Sequence, residues 1–152
     1  MKTTSATHEP GPLTPHIVVQ GAARAIEFYV RVFGAREDFR LTEPSGKVGH
    51  AELLLGASRL MLADEYPDFG ALGPASVGGT PVVLHLVVPD VDATMALAER
   101  EGATVLREAK NEFYGDRRGM LLDPFGHRWS IATQVEAVSP QEMQSRWNAM
   151  MG

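Results

Sequence analysis

The residues of this chain best suited to chemistry fall at matching places. His16 stands three residues before Val19, at the end of a β-branched run, and His85 stands three before Val88. Alternate residues of a strand share a face, so if both valines pack on a helix, both imidazoles turn to the opposite side. His50 and Glu52 lie two apart and also share a face, as do Arg59 with Met61 and Arg128 with Ser130. Imidazole changes charge near neutrality and can ligate a metal. A neighbouring carboxylate can orient it, and an arginine can grip an anionic group bidentately. Tyr114, next to Phe113, can line a pocket. Each has an ordinary structural alternative. The histidines can be hydrogen-bonded strand residues, and His50 with Glu52 a solvated pair. Arg59 and Arg128 can pair with Asp64, Glu65 or Asp123.

The sequence around these side chains reads as a regular series of strands, helices and turns. A hairpin over 115–133 turns at Asp123-Pro124-Phe125-Gly126, the composition of a type I turn. A strand is expected over 13–20. Ala22, Ile26, Tyr29, Val30 and Phe33 then mark one face of a helix that Gly34 ends. Strands follow over 37–41, 50–55 and 59–63, which makes a βαβββ unit. Residues 65–80 hold four glycines and two prolines and read as a linker or mobile loop. The order then returns: a strand over 82–88, a helix capped by Asp90 or Asp92 and ended by Gly102, a strand over 104–107, and the hairpin. This internal repeat of about 70 residues is the main organisational signal. Ser139-Pro140-Gln141-Glu142 is a capping box that opens a tail helix with Met143, Trp147 and Met150 on one face.

Composition narrows the class. With 152 residues, 44% hydrophobic, the expectation is one domain burying roughly 70% of its unfolded surface. There is no cysteine, which rules out disulfides and thiolate metal sites and suits a reducing, cytoplasmic setting. The net charge of -5 speaks against a nucleic-acid partner, and no stretch approaches the ~20 apolar residues of a membrane helix. The organisation expected is a flexible arm over 1–12, a domain over 13–134 and a tail helix within 135–152. The domain comprises a first module over 13–64, the linker over 65–80 and a second module over 81–134.

Two tandem βαβββ units resemble the vicinal oxygen chelate superfamily, which includes glyoxalase I, extradiol dioxygenases, fosfomycin-resistance enzymes and bleomycin-binding proteins. Several stretches are similar to its PhnB-like branch: Pro15-His16, Ala25-Ile26-Glu27-Phe28-Tyr29, Phe33-Gly34-Ala35, Gly49-His50-Ala51-Glu52-Leu53, Asp90-Val91-Asp92-Ala93, Gly115-Asp116-Arg117 and Asp123-Pro124-Phe125-Gly126-His127. The resemblance implies an α+β fold in which the two modules form curved mixed sheets around a cleft, with a C-terminal helix added. It also implies a divalent metal in the enzymes of the family. The four family ligand positions fall at Thr14, Met61, Val83 and Ser130, and none is His or Glu. No cofactor is therefore assigned. A divalent metal would need a shifted set drawn from His16, His85 and Glu52.

The function expected is that of a PhnB-like protein binding a small organic molecule in the cleft, with or without acting on it. Ligand contacts are expected from His16, His50, Glu52, Arg59, His85, Tyr114 and Arg128. One alternative is a metal-dependent lyase or dioxygenase with the shifted ligand set. Another is a non-catalytic protein that sequesters a drug or metabolite. A homodimer is expected, since sister proteins complete their clefts with a partner and the tail helix offers an apolar face. Glyoxalase I chemistry needs a metal and a strong base at positions occupied here by Thr14, Met61, Val83 and Ser130. The purified protein is expected to show no isomerisation of the methylglyoxal–glutathione adduct with added nickel, zinc or manganese. Turnover that rises with metal and dies with a chelator would overturn the ligand assignment.

Overall fold

A computed structural model of the chain describes residues 11–152. The expected arm over 1–12 lies mostly outside the described residues. The chain divides into two compact units after Gly79. The first contains β1 (His16–Val19), α1 (Ala22–Phe33), β2 (Arg36–Thr42), β3 (Val48–Leu55) and β4 (Ser58–Asp64). Its sheet order is β1-β4-β3-β2, with β1 parallel to β4 and the other pairs antiparallel. The second contains β5 (Val83–Val87), α3 (Val91–Arg100), β6 (Thr104–Asn111), β7 (Asp116–Leu122) and β8 (Arg128–Gln134). Its order, β5-β8-β7-β6, is the same topology with the same parallel closure. The fold is thus α+β, two tandem βαβββ modules with two four-stranded mixed sheets, and a C-terminal helix α4 (Pro140–Met151).

Each sheet has a helix face and an open face. In the first unit Ile17, Val19, Ala51, Leu53, Leu60 and Leu62 alternate inward and are buried with Ile26, Tyr29 and Val32 of α1. Burying each large side chain contributes about 1.5–3 kcal/mol. The helix is rotated slightly from the face expected: Val30 is 41% exposed, and Ala25, Phe28 and Val32 are buried instead. In the second unit Leu121, Trp129 and Ile131 are buried with Val91, Met95 and Ala98 of α3. Asp123 fixes the hairpin turn. It accepts from the backbone N–H of Phe125 and His127, and its Oδ2 accepts from Trp129 Nε1 at 2.9 Å.

The strand limits differ from those expected for local reasons. β1 begins at His16 because Pro15 has no N–H to give, although its carbonyl accepts from Met61 N–H. β6 runs on to Asn111 through a polar stretch that carries no hydrophobic signal, paired to β7 across register shifts. Residues 65–80 include a 3-10 turn at Pro67–Phe69 and the short helix α2 (Pro74–Val77). Glu65 accepts from Gly73 N–H at 2.7 Å, and Tyr66 donates to Glu43 at 2.6 Å, a bond that pushes the phenol up to about 12. The tail helix is held by Arg146, which donates to Glu136, Glu142 and the Phe113 carbonyl. That guanidinium lowers the Glu136 carboxyl below its usual range.

One side chain closes the first unit. Asp64 Oδ1 accepts from Gly21 and Ala22 N–H at 2.9 and 2.8 Å, and Oδ2 accepts from Val48 N–H at 2.8 Å. The first two donors belong to the start of α1, where backbone N–H groups lack helical partners. Asp64→Ala is expected to cost about 2–3 kcal/mol of unfolding free energy in denaturant titrations, with a smaller loss for Asp64→Asn, which keeps one acceptor. An Ala variant as stable as the parent would contradict this role.

Candidate functional site

The open face of the first sheet collects four of the residues singled out in the sequence. The register places His16, Met61, Glu52 and Phe39 in one row across β1, β4, β3 and β2. His50 lies one step along β3, its ring stacked on His16 with centroids 5.8 Å apart and tilted to Phe39 at 5.9 Å. His50 Nε2 and Glu52 Oε2 are 2.9 Å apart. Arg59 Nη1 donates to Glu52 Oε1 at 2.7 Å and to Asp38 Oδ2 at 2.9 Å. These bonds, Asp38 first and then Glu52, raise the guanidinium above its usual value and hold it as a cation. Glu52 is 14% exposed and Arg59 13%, so both are well shielded, while the His50 side chain is 27% exposed. The result is a hydrogen-bonded chain, His50–Glu52–Arg59–Asp38, with a partly exposed ring at one end and a more exposed carboxylate at the other.

That chain has a definite chemical capacity. An ionised carboxylate can only accept, so Glu52 requires the proton on His50 Nε2 and leaves Nδ1 as an acceptor. A carboxylate that fixes tautomer and ring orientation is what a general base needs. Arg59 therefore pairs with Asp38 and Glu52, not with Asp64 or Glu65. Asp38 and Phe39 carry no local sequence signal for this site. They arrive through a register shift in β2 between Glu37 and Phe39, which places Phe39 opposite Glu52.

The second unit has its own open face. His85 lies opposite Ser130, with Nδ1 and Oγ 2.9 Å apart. Ser130 is 3% exposed. Val83 lies opposite Arg128. Tyr114 accepts at its hydroxyl from Arg118 Nη1 at 3.1 Å, and Arg118 Nη2 lies 3.2 Å from Met120 Sδ. Phe113 contacts Trp147 of α4, with centroids 5.7 Å apart. Arg118 was also missed. Counting back from the Asp123–Gly126 turn finds it, since Leu122, Met120 and Arg118 pair with Arg128, Ser130 and Ala132. Its neighbour Arg117 points the other way and pairs with Asp92 of α3 at 2.9 Å.

Two of the positions that the family resemblance marks for metal ligands, Met61 and Ser130, are poorly suited to a divalent ion. Met61 offers a thioether, and the Ser130 hydroxyl is bonded to His85. Neither is a good donor for a hard divalent cation. Among the described residues no three His, Asp or Glu side chains are grouped as a metal site. His16 and Glu52 of the shifted set flank Met61 in the first unit, and His85 belongs to the second.

A model of the glyoxalase/bleomycin resistance protein/dioxygenase superfamily matches residues 11–131. The chain belongs to that superfamily. An uncharacterised protein of Mycobacterium tuberculosis is 43% identical over 145 residues, covering 93% of this chain and 85% of its own length. A solved Arabidopsis thaliana protein is 26% identical with a TM-score of 0.65, covering 80% of this chain and 98% of that one. The PhnB protein of Bacillus cereus has the same fold at 16% identity and a TM-score of 0.65, with 81% and 99% of the two chains covered.

The Glu52 contact fixes the tautomer of His50. Long-range proton–nitrogen NMR of neutral His50 is expected to place its proton on Nε2, and Glu52→Gln to yield a mixture of tautomers. A proton on Nδ1 in the parent protein would contradict the geometry.

Proposed function

We propose that this protein binds a small organic molecule at the open face of its first sheet and that His50, held by Glu52, is the group placed to exchange a proton with it. The observation that supports this reading is the His50–Glu52–Arg59–Asp38 chain on a partly accessible face. A positioned imidazole of this kind contributes on the order of 10²–10⁴-fold to a proton-transfer step. Phe39, opposite Glu52, and Leu41, opposite His50, are 39% and 60% exposed and would cover apolar parts of the same molecule. That apolar margin equally suits a second reading, stoichiometric sequestration without turnover.

A fragment library of amines, phenols and carboxylic acids, screened by ligand-observed NMR, tests the binding. Fragments that bind the parent are expected to lose at least about tenfold in affinity, ~1.4 kcal/mol, in His50→Ala and Glu52→Gln. Equal binding by parent and variants would refute the site. Chemical change of a bound fragment, abolished in His50→Ala, would favour catalysis over sequestration.

The same proposal includes a homodimer and a cytoplasmic location. The tail helix leaves Trp147, Met150 and Met151 exposed at 45%, 62% and 66%, an apolar face of the kind a second copy covers. The cysteine-free composition suits a reducing compartment. Light scattering at concentrations on the order of tens of micromolar is expected to give the dimer mass, and a monomer would refute it.

A further inference from the structure

The two open faces differ in charge. In the first unit Arg59 is neutralised by Glu52 and Asp38. In the second, cross-strand pairing places Arg128, Arg118, Arg107 and Lys110 on the face that carries His85, Ser130 and Met120, with the carboxylates Asp116 and Glu112 at its hairpin end. Arg128 is flanked in its row by Val83 on β5 and Leu122 on β7, both apolar. Its Nε is buried and has no hydrogen-bond partner among the described residues. Buried donors are nearly always satisfied, so an orphaned guanidinium nitrogen asks for an acceptor from outside the chain.

We propose that the second unit carries an oxyanion-binding site centred on Arg128, which takes the carboxylate or phosphate group of a small molecule. The guanidinium carries Nε–H and one Nη–H as a planar fork that matches two oxygens of such a group, and the partly exposed side chain turns to offer the buried Nε–H to it. Arg118, one pairing step beyond Met120, adds a second cation, and Tyr114 steadies it through its hydroxyl. His85 and Ser130, hydrogen-bonded to each other in the next row, border the site and can donate to the same ligand. The apolar neighbours Val83 and Leu122 lower the local dielectric, which strengthens a charge-assisted bond to an arriving anion. The inference draws on the second unit alone, so it stands or falls separately from the proposal for the first.

The test follows the arginine side-chain Nε–H resonances of the full chain by NMR. Sodium phosphate and sodium benzoate are titrated separately at constant ionic strength. The expected result is a saturable shift of the Arg128 Nε–H with at least one of them. A response to phosphate alone identifies a phosphate site, and a response to benzoate alone identifies a carboxylate site. Binding should weaken at least tenfold in Arg128→Gln and less in Arg128→Lys. Arg100→Gln, which removes an exposed charge at the end of α3, should leave it unchanged. The proposal is overturned if the Arg128 Nε–H does not shift with either anion. It is equally overturned if Arg100→Gln weakens binding as much as Arg128→Gln, which would mark general charge attraction. Because the resonance is read in the unmodified protein, a variant that fails to fold does not remove the test.

Discussion

The carboxylate of Asp64 is the contact on which the first unit depends most. It stands at the end of β4, opposite Val19 of β1, and binds the opening N–H groups of α1 and the first N–H of β3. One group thereby joins all three components of a crossover: the strand that feeds the helix, the helix start and the returning strand. Negative charge at a helix N-terminus is favourable in itself, and here it also satisfies donors that water would otherwise reach. The second unit answers the same problem with a neutral group. Thr133 follows Ala132, the partner of Val87; its hydroxyl accepts from Val91 N–H at 3.0 Å and donates to the Val88 carbonyl at 2.8 Å. Two different side chains at equivalent places do the same work, which explains why the repeat is plainer in the backbone than in residue identity.

The parallel pairing that these contacts lock has a chemical consequence. It fixes which residues of β1 and β5 stand beside the final strand of each unit: His16 beside Met61, and His85 beside Ser130. The alternation that buries Ile17 and Val19 against α1 sends His16 to the open face. From that point the two faces diverge. The first becomes a chain of paired charges around Glu52, with histidine rings at its margin. The second becomes cationic, with Arg128 in an apolar row. The fold supplies a frame in duplicate, and side-chain differences give each copy a distinct chemistry, as expected where function resides in sites grafted onto a common architecture.

Much of this was legible in the sequence. The α1 spacing, Gly34 at its end, the turn at Asp123–Gly126 and the capping box at Ser139 each rest on local rules, and each element is present. The shared face of His50 and Glu52 follows from the period of two. What was not legible came from long-range pairing. No local signal says that Asp38 reaches Arg59, because that contact crosses from β2 to β4 and depends on the register shift beside Phe39. β6 runs past the stretch expected because Glu108, Lys110 and Asn111 give no hydrophobic cue; β7 holds the strand through backbone bonds. Arg117 and Arg118 adjoin in sequence and part company in space, one to α3 and one to Tyr114, and only the hairpin register tells them apart.

Register assembles the polar row on the open face of the first sheet. Proton–proton cross-relaxation between histidine rings reads that placement. With ring centroids 5.8 Å apart and planes 21° from parallel, His16 and His50 should show a ring-to-ring cross-peak in the isolated protein. His16 ring protons should show none to the Ile26 or Tyr29 side chains, which lie under the opposite face. Cross-peaks from His16 to those α1 residues, with none to His50, would place the imidazole in the helix layer and rule out the open-face row.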